Sequence, residues 1–295
     1  MHSGYNFENL ILERAGLPSY FPLVAYYEHG WSLQDHLIKS YSDSSSFTHL
    51  SWNIRMKELF HTKPNKSVHI IGSPMIYYKE KFSIKKNNKL NSIFFYAHST
   101  KKIIHDIDKS NIIKSLRAIP ENFKPIDVCL HSHDYKILKP FFESEGFNVV
   151  TAGNIFLKTF PKNFYNLLSS YEYAFSNQLG SYVLYALDLG IPFNLVGPEP
   201  KHLNIGNDKN VPKFYKVSDN LIAKKIYKLF DTLSYTITSE QFYMCKSELG
   251  LDLRVSSQDL KKIITTDSLK ISKNYISYCK YIPKSLISFY KSYEK

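Results

Sequence analysis

The chain has 295 residues, room for two modest domains or one large one. Its 43% hydrophobic and 22% charged residues exclude wholesale disorder, and no uncharged apolar run reaches the roughly 18 residues a membrane helix needs. The net charge of +12 invites a nucleic-acid reading, but only Arg14, Arg55, Arg117 and Arg254 of the 38 basic residues are arginines, whose forks read bases and phosphates, so nucleic acid is not an expected partner.

In chain order, the start Met1-His2-Ser3-Gly4-Tyr5 lacks the basic and apolar regions of a signal peptide. Residues 22–27 read as a first strand, running into Tyr27-Glu28-His29-Gly30-Trp31, and residues 49–60 read as a helix. Residues 67–72 read as a second strand, ended by Gly72-Ser73-Pro74. The polar, lysine-rich run 77–91 then divides a short amino-terminal α/β unit from a longer one. That second unit opens with a strand over 92–97, ended by His98-Ser99-Thr100. Residues 101–117 read as helix-like and hold Asp106-Ile107-Asp108; carboxylates two apart on a helix diverge, so this pair reads as a solvated face. A strand over 125–130 ends in Leu130-His131-Ser132-His133-Asp134, where His131, His133 and Asp134 find no further ligands for a metal, and none is expected.

Further on, residues 135–145, 163–170, 181–189 and 219–229 read as helices, and 147–152, 173–176 and 192–196 as strands. After about residue 217 the strands stop. Residues 261–295 hold eight lysines against Asp267 and Glu294, a local +6 that is half the total, interleaved with aromatics over 270–293. That interleaving suits either an anionic membrane surface or a helix packing across both units. The odd, scattered Cys129, Cys245 and Cys279 make neither a disulfide framework nor a zinc site, so a reducing, cytoplasmic compartment is expected.

Apolar strand runs separated by helices indicate parallel sheets covered on both faces. The scarce glycines Gly30, Gly72, Gly153 and Gly197 sit at strand ends, where doubly wound sheets build their ligand crevice. The strongest local signal is the turn Ser176-Asn177-x-x-Gly180-Ser181 at a helix amino terminus, a ready phosphate site whose residues are equally good helix caps. Glu199, after the next strand, can accept from ribose hydroxyls. His98, Ser99 and Thr100 can donate to a diphosphate or cap the following helix, and His131 can line the same crevice.

The strand, Ser-Asn-x-x-Gly-Ser turn, Tyr-Ala-Leu-x-Leu-Gly-x-Pro helix and following strand resemble the donor half of GT-B glycosyltransferases, more narrowly those of bacterial surface-polysaccharide (capsule and O-antigen) biosynthesis. The resemblance covers residues 20–230. It implies an α/β fold of two Rossmann-like domains facing a cleft, with 1–85 as acceptor-side domain, 86–230 as nucleotide-sugar donor domain and 231–295 as a basic, aromatic helical segment. It implies transfer of a sugar from a nucleotide-sugar to a glycan or lipid-linked glycan, with no cofactor and no metal, on the cytoplasmic side of a membrane. In such enzymes the base comes from the amino-terminal domain, which points to His29 or Glu28, with Asp35 next. His98, Ser99, Thr100, His131, Ser176, Asn177, Gly180 and Ser181 would face the diphosphate and Glu199 the ribose. The alternatives are a hydrolysing nucleotide-sugar 2-epimerase and a non-enzymatic basic nucleic-acid-binding protein.

Overall fold

The computed structural model describes residues 4–35, 46–63, 65–99, 103–206 and 212–279, with the side chains of 270–279 outside the description. Thr100 and residues 280–293 of the lysine-aromatic run lie outside the described residues, so their expected roles stay with the sequence. In chain order the elements are α1 (Phe7–Arg14), β1 (Tyr26–Tyr27), β2 (Thr48–Ser51), α2 (Ile54–Glu58), β3 (Ser67–Ile70), α3 (Pro74–Lys81), β4 (Leu90–Phe95), β5 (Ile103–Asp106), α4 (Lys109–Ala118), β6 (Ile126–Cys129), α5 (Ser132–Ser144), β7 (Val149–Val150), α6 (Phe160–Leu168), β8 (Tyr171–Ser176), α7 (Ser181–Asp188), β9 (Phe193–Leu195), β10 (Lys201–Asn204), β11 (Phe214–Tyr215), α8 (Leu221–Tyr227), α9 (Ser239–Leu249) and α10 (Ser257–Cys279).

Two sheets are wholly parallel: β1-β2-β3, and the five-stranded β7-β6-β4-β8-β9. The third, β11-β10-β5, is antiparallel. In the five-stranded sheet the chain leaves β4 toward β6 and β7, then returns to the other side of β4 for β8 and β9. Between β4 and β8 the connections diverge, and such a switch point opens a crevice beyond the strands' carboxyl ends.

Two segments read as helical contain strands instead. Residues 48–51 form the fully buried central strand of the first sheet, and the helix starts only at Ile54, where the Asn53 side chain accepts from the Met56 N–H. Polar residues hid that strand: Thr48, His49 and Ser51 are buried, with the Ser51 hydroxyl donating to Glu28, so no apolar run marks it. Likewise Ile103–Asp106 pairs along its whole length with β10, and Asp108 caps α4 by accepting from the Asn111 N–H. The Asp106-Ile107-Asp108 pair therefore spans a strand end and a helix cap rather than one helix face. α1 was also unread, although Phe7, Leu10 and Ile11 carry helical spacing and are buried.

One hydrophobic cluster runs from the first sheet (Leu50, Trp52, Ile71) to the second (Ile93, Phe95, Phe193) through Tyr185 of α7. Across that contact the Ser73 hydroxyl and the Tyr185 hydroxyl are 2.8 Å apart. A second cluster lies under α4 and α5 on the opposite face of the larger sheet.

After the second sheet the chain returns to the first. The Leu249 carbonyl accepts from the Ser73 N–H at 3.1 Å, and the Ile70 carbonyl from the Val255 N–H at 2.8 Å. Gly250 ends α9 at φ +67°, where a Cβ would lie 1.8 Å from the Trp52 carbonyl oxygen and 3.2 Å from the Cα of Gly72. Backbone meets backbone here, so no rotamer change relieves the clash. Gly250→Ala should therefore lower unfolding free energy by about 3 kcal/mol or more, or leave no soluble protein, as urea titration followed by circular dichroism would show.

Candidate functional site

A cavity of about 290 Å³ lies at the switch point. Its walls come from both parallel sheets: His29, Gly30 and Trp31 after β1, Phe95 at the end of β4 with Tyr96 and His98 after it, His131 after β6, and Gly180 and Ser181 after β8. Tyr5, Phe7, Phe160, Phe164, Tyr182 and Tyr185 make much of the remainder a surface of aromatic rings. Ring faces and aliphatic edges suit a planar or sugar ring, and the few polar groups cluster in the strand-end loops.

The amino termini of α5 and α7 both border this cavity through His131 and Gly180. No side chain caps α7 at Gly180. Helix amino termini present N–H groups and the positive end of the dipole, which favours an anion. A Cβ on Gly180 would lie 2.6 Å from the Tyr182 ring, so glycine is required there by Tyr182 before any ligand is considered. Tyr182 is itself held by stacking on Phe95 and by hydroxyl contact with Ser176.

His98 and His131 stack with centroids 4.2 Å apart and planes within 10°. The His131 Nδ1 accepts from the His133 N–H, which places the ring proton on Nε2, a buried atom with no partner in the protein. Burial, aided by the adjacent His131, pushes His98 down to about 4, so it is neutral at pH 7. His29 is also held below the ordinary imidazole value by burial, against a weaker upward pull from Glu28.

The carboxylate of Glu28 turns away into the first sheet, where it is 2% exposed. It accepts from the Ser51 hydroxyl at 2.6 Å and the Trp52 N–H at 2.9 Å, with His49 Nε2 at 3.6 Å. Strand alternation sends neighbouring side chains to opposite sides, so only His29 of this pair reaches the cavity. Asp35 is exposed and outside it.

Of the residues expected to hold a nucleotide-sugar, the structure brings His98, His131, Gly180 and Ser181 together, and sets four others elsewhere. Ser176 donates to the Phe95 carbonyl at 2.6 Å, tying β8 to β4. Asn177 accepts from the Ala97 N–H at 3.2 Å and donates to the Pro198 carbonyl at 3.3 Å, clasping three strand-end loops. The Ser99 hydroxyl accepts from the His105 N–H at 3.0 Å, bracing the turn into β5. Glu199 accepts from the Ser218 N–H at 2.9 Å and from its hydroxyl, fixing the segment before α8. These four hold the loops that the cavity residues stand on. His133 pairs at the surface with Asp134 at 3.2 Å. Among the described residues, no group of three or more His, Cys, Asp or Glu side chains is placed to hold a metal ion.

Sequence reading missed the aromatic lining, because an aromatic residue reads as core by default. It also missed what holds the His29 loop. The Trp31 N–H donates to the Ser181 hydroxyl at 2.9 Å, and Trp31 Nε1 to Glu248 at 2.7 Å. Glu248, on α9, also accepts from Asn53 Nδ2 at 3.1 Å and from Arg55 Nε at 3.1 Å and Nη2 at 2.7 Å. Arg55 in turn donates to the Gln34 carbonyl at 3.1 Å and to that of Ser32. No short motif signals an ion pair spanning 193 residues.

No family model matches the chain, and no curated protein matches it. Among solved structures it is similar to the UDP-GlcNAc 2-epimerase from Neisseria meningitidis bound to UDP-GlcNAc, at 16% identity and a TM-score of 0.38, over 79% of this chain and 66% of that one. It is also similar to Anabaena HepE in complex with UDP and glucose, at 11% identity and a TM-score of 0.36, over 82% of this chain and 70% of that one. The chain thus spans just under two thirds of the epimerase's length. Among the described residues no helix is long and apolar enough to cross a membrane.

Removing one partner of a largely buried ion pair leaves the other charge uncompensated. Glu248→Ala should therefore cost about 3 kcal/mol of stability by urea unfolding. In a Trp52→Phe background, which leaves Trp31 as the only tryptophan of two, it should also red-shift the emission as the indole is released.

Proposed function

We propose that the chain is a nucleotide-sugar enzyme, a glycosyltransferase that passes a sugar from a nucleotide donor to a glycan or lipid-linked glycan acceptor of surface-polysaccharide type. The observation that carries this reading is the meeting of both sheets at one cavity. His29 stands on the wall of the first, and His98, His131, Ser181 and the α7 amino terminus on the wall of the second. A transferase needs this division, with a base on one side for the acceptor hydroxyl and anion-stabilising groups on the other for the departing diphosphate. The two parallel sheets are then the two halves of the cleft.

The roles follow from the chemistry of each group. His29, neutral at pH 7, has a lone pair to take the acceptor proton as the hydroxyl attacks the anomeric carbon. The Nε2–H of His131, the Ser181 hydroxyl and the N–H groups of α7 face the negative charge that develops on the leaving diphosphate. Neutral donors and a helix dipole supply this stabilisation from the protein's own residues. Glu28 is better read as the buttress of the strand that carries His29 than as a second base. The lysine-aromatic tail would hold the enzyme at an anionic membrane surface on the cytoplasmic side, beside a lipid-linked acceptor.

A thermal-shift screen against UDP-, GDP-, CMP- and TDP-sugars tests the ligand class, because a ligand that binds only the native state raises its melting temperature. With the donor identified, His29→Ala should cut turnover about 100-fold while leaving donor affinity intact. Because burial keeps the His29 pKa below about 6.5, kcat/KM should be flat above that pH and fall only below it, as the imidazole takes up a proton. A screen in which no nucleotide-sugar shifts the melting curve would refute the reading. Free sugar plus nucleotide, with no transfer to any glycan, would assign the cavity to a hydrolysing epimerase instead.

A further inference from the structure

The antiparallel sheet beside the cavity carries a group of imidazoles that the proposed chemistry does not use. Register sets His105 of β5 directly opposite His202 of β10, and His202 opposite Tyr215 of β11. Directly opposed residues share one face of a sheet, so the three rings form a row. Their centroids are 4.3 Å apart between His105 and His202 and 4.8 Å apart between His202 and Tyr215.

His202 is 3% exposed, and neither of its ring nitrogens has a hydrogen-bond partner. Nδ1 of His105 is likewise buried and unpartnered. A buried imidazole normally satisfies its one N–H and its one lone pair, and leaving them unmet is costly. The Glu199 carboxylate, which pulls on His202 electrostatically, is engaged by Ser218. Each neutral ring carries one lone pair, so these two touching rings can each give a pair to one shared ligand that accepts electron pairs.

We propose that His105 and His202 form a two-imidazole site for a divalent transition-metal ion of the Zn²⁺, Ni²⁺ or Cu²⁺ kind. Imidazole nitrogen is a preferred ligand for these ions, and oxygen-seeking ions such as Mg²⁺ find nothing here to bind. Metal takes only the neutral ring, and both rings sit on one face of the sheet with their centroids 4.3 Å apart. The β5–β10 ladder, paired from Lys201 with Asp106 to Asn204 with Ile103, holds the pair in place before any ion arrives. Two protein ligands leave the other positions to water, which the half-buried His105 admits. An ion bound here would cross-link β5 to β10 through the two rings.

The test uses the full chain without a histidine tag, stripped with chelator and titrated with ZnCl₂, NiCl₂ or CuCl₂, with MgCl₂ as control. Melting temperature should rise saturably with the first three and not with the fourth. His105→Phe and His202→Phe should each weaken the apparent affinity by about tenfold or more. Their metal-free melting temperatures should match or exceed wild type, because a similar ring replaces an imidazole with unmet nitrogens. Electron paramagnetic resonance of the Cu²⁺ form should report two nitrogen donors in wild type and fewer in either variant. Should a phenylalanine variant fail to fold, His105→Gln and His202→Gln serve in the same titrations. Wild type that ignores all three ions, or a metal response and Cu²⁺ spectrum unchanged by substitution at both positions, would overturn the proposal.

Discussion

The carboxylate of Glu248 is the point on which the arrangement of this molecule turns. It sits near the end of α9, yet its partners Trp31, Asn53 and Arg55 belong to the first sheet's loops. Two charges and an indole N–H meet at 2.7 Å in a largely buried place, where the low dielectric strengthens each contact and makes each loss expensive. Through Trp31 the same network reaches the Ser181 hydroxyl at the start of α7. The loop bearing His29 is thereby held from three directions, by α9, the first sheet's loops and the larger sheet's helix α7.

That bracing explains how short elements can build a defined site. β1 is two residues long, and the loop after it has little regular structure of its own. A side chain placed by such a segment is only as well oriented as the contacts that fix its backbone. The larger sheet solves the same problem differently. Ser176 and Asn177, at the end of β8, bond to the backbone at the end of β4 and after β9, so the strand-end loops are fastened to each other.

Much of the larger sheet was legible in the sequence because its strands obey the simplest rule. Phe94, Val128 and Phe175 are fully buried in apolar runs bounded by turns. β2 was illegible for the opposite reason: its buried residues include Ser51, which donates to Glu28, and His49, whose Nε2 lies 3.6 Å from the same carboxylate, a grouping that exists only in three dimensions. The site divides the same way. His98, His131 and Ser181 were readable from their places after strands, and the structure sets them around one cavity. Ser176 and Asn177 look identical to a phosphate-binding turn in one dimension, because a hydroxyl or amide that holds a loop and one that holds a ligand need the same chemistry. The aromatic floor was hidden by composition, since with 23 tyrosines and 20 phenylalanines no single ring stands out.

The continuous hydrophobic cluster from Leu50 and Trp52 to Phe95 and Phe193 bears on how the cavity fills and empties. Separating the two parallel sheets as rigid bodies would expose Trp52 and Tyr185, both nearly inaccessible to water, and would part Ser73 from Tyr185. A hinge of that kind works against the same apolar burial that stabilises the fold. Ligand traffic is cheaper through the loops, where half-buried His98 and His131 can shift rotamers without uncovering the interior. Residence time in the cavity would then be governed by rotation of a few rings at its mouth, on a faster clock than that of domain opening.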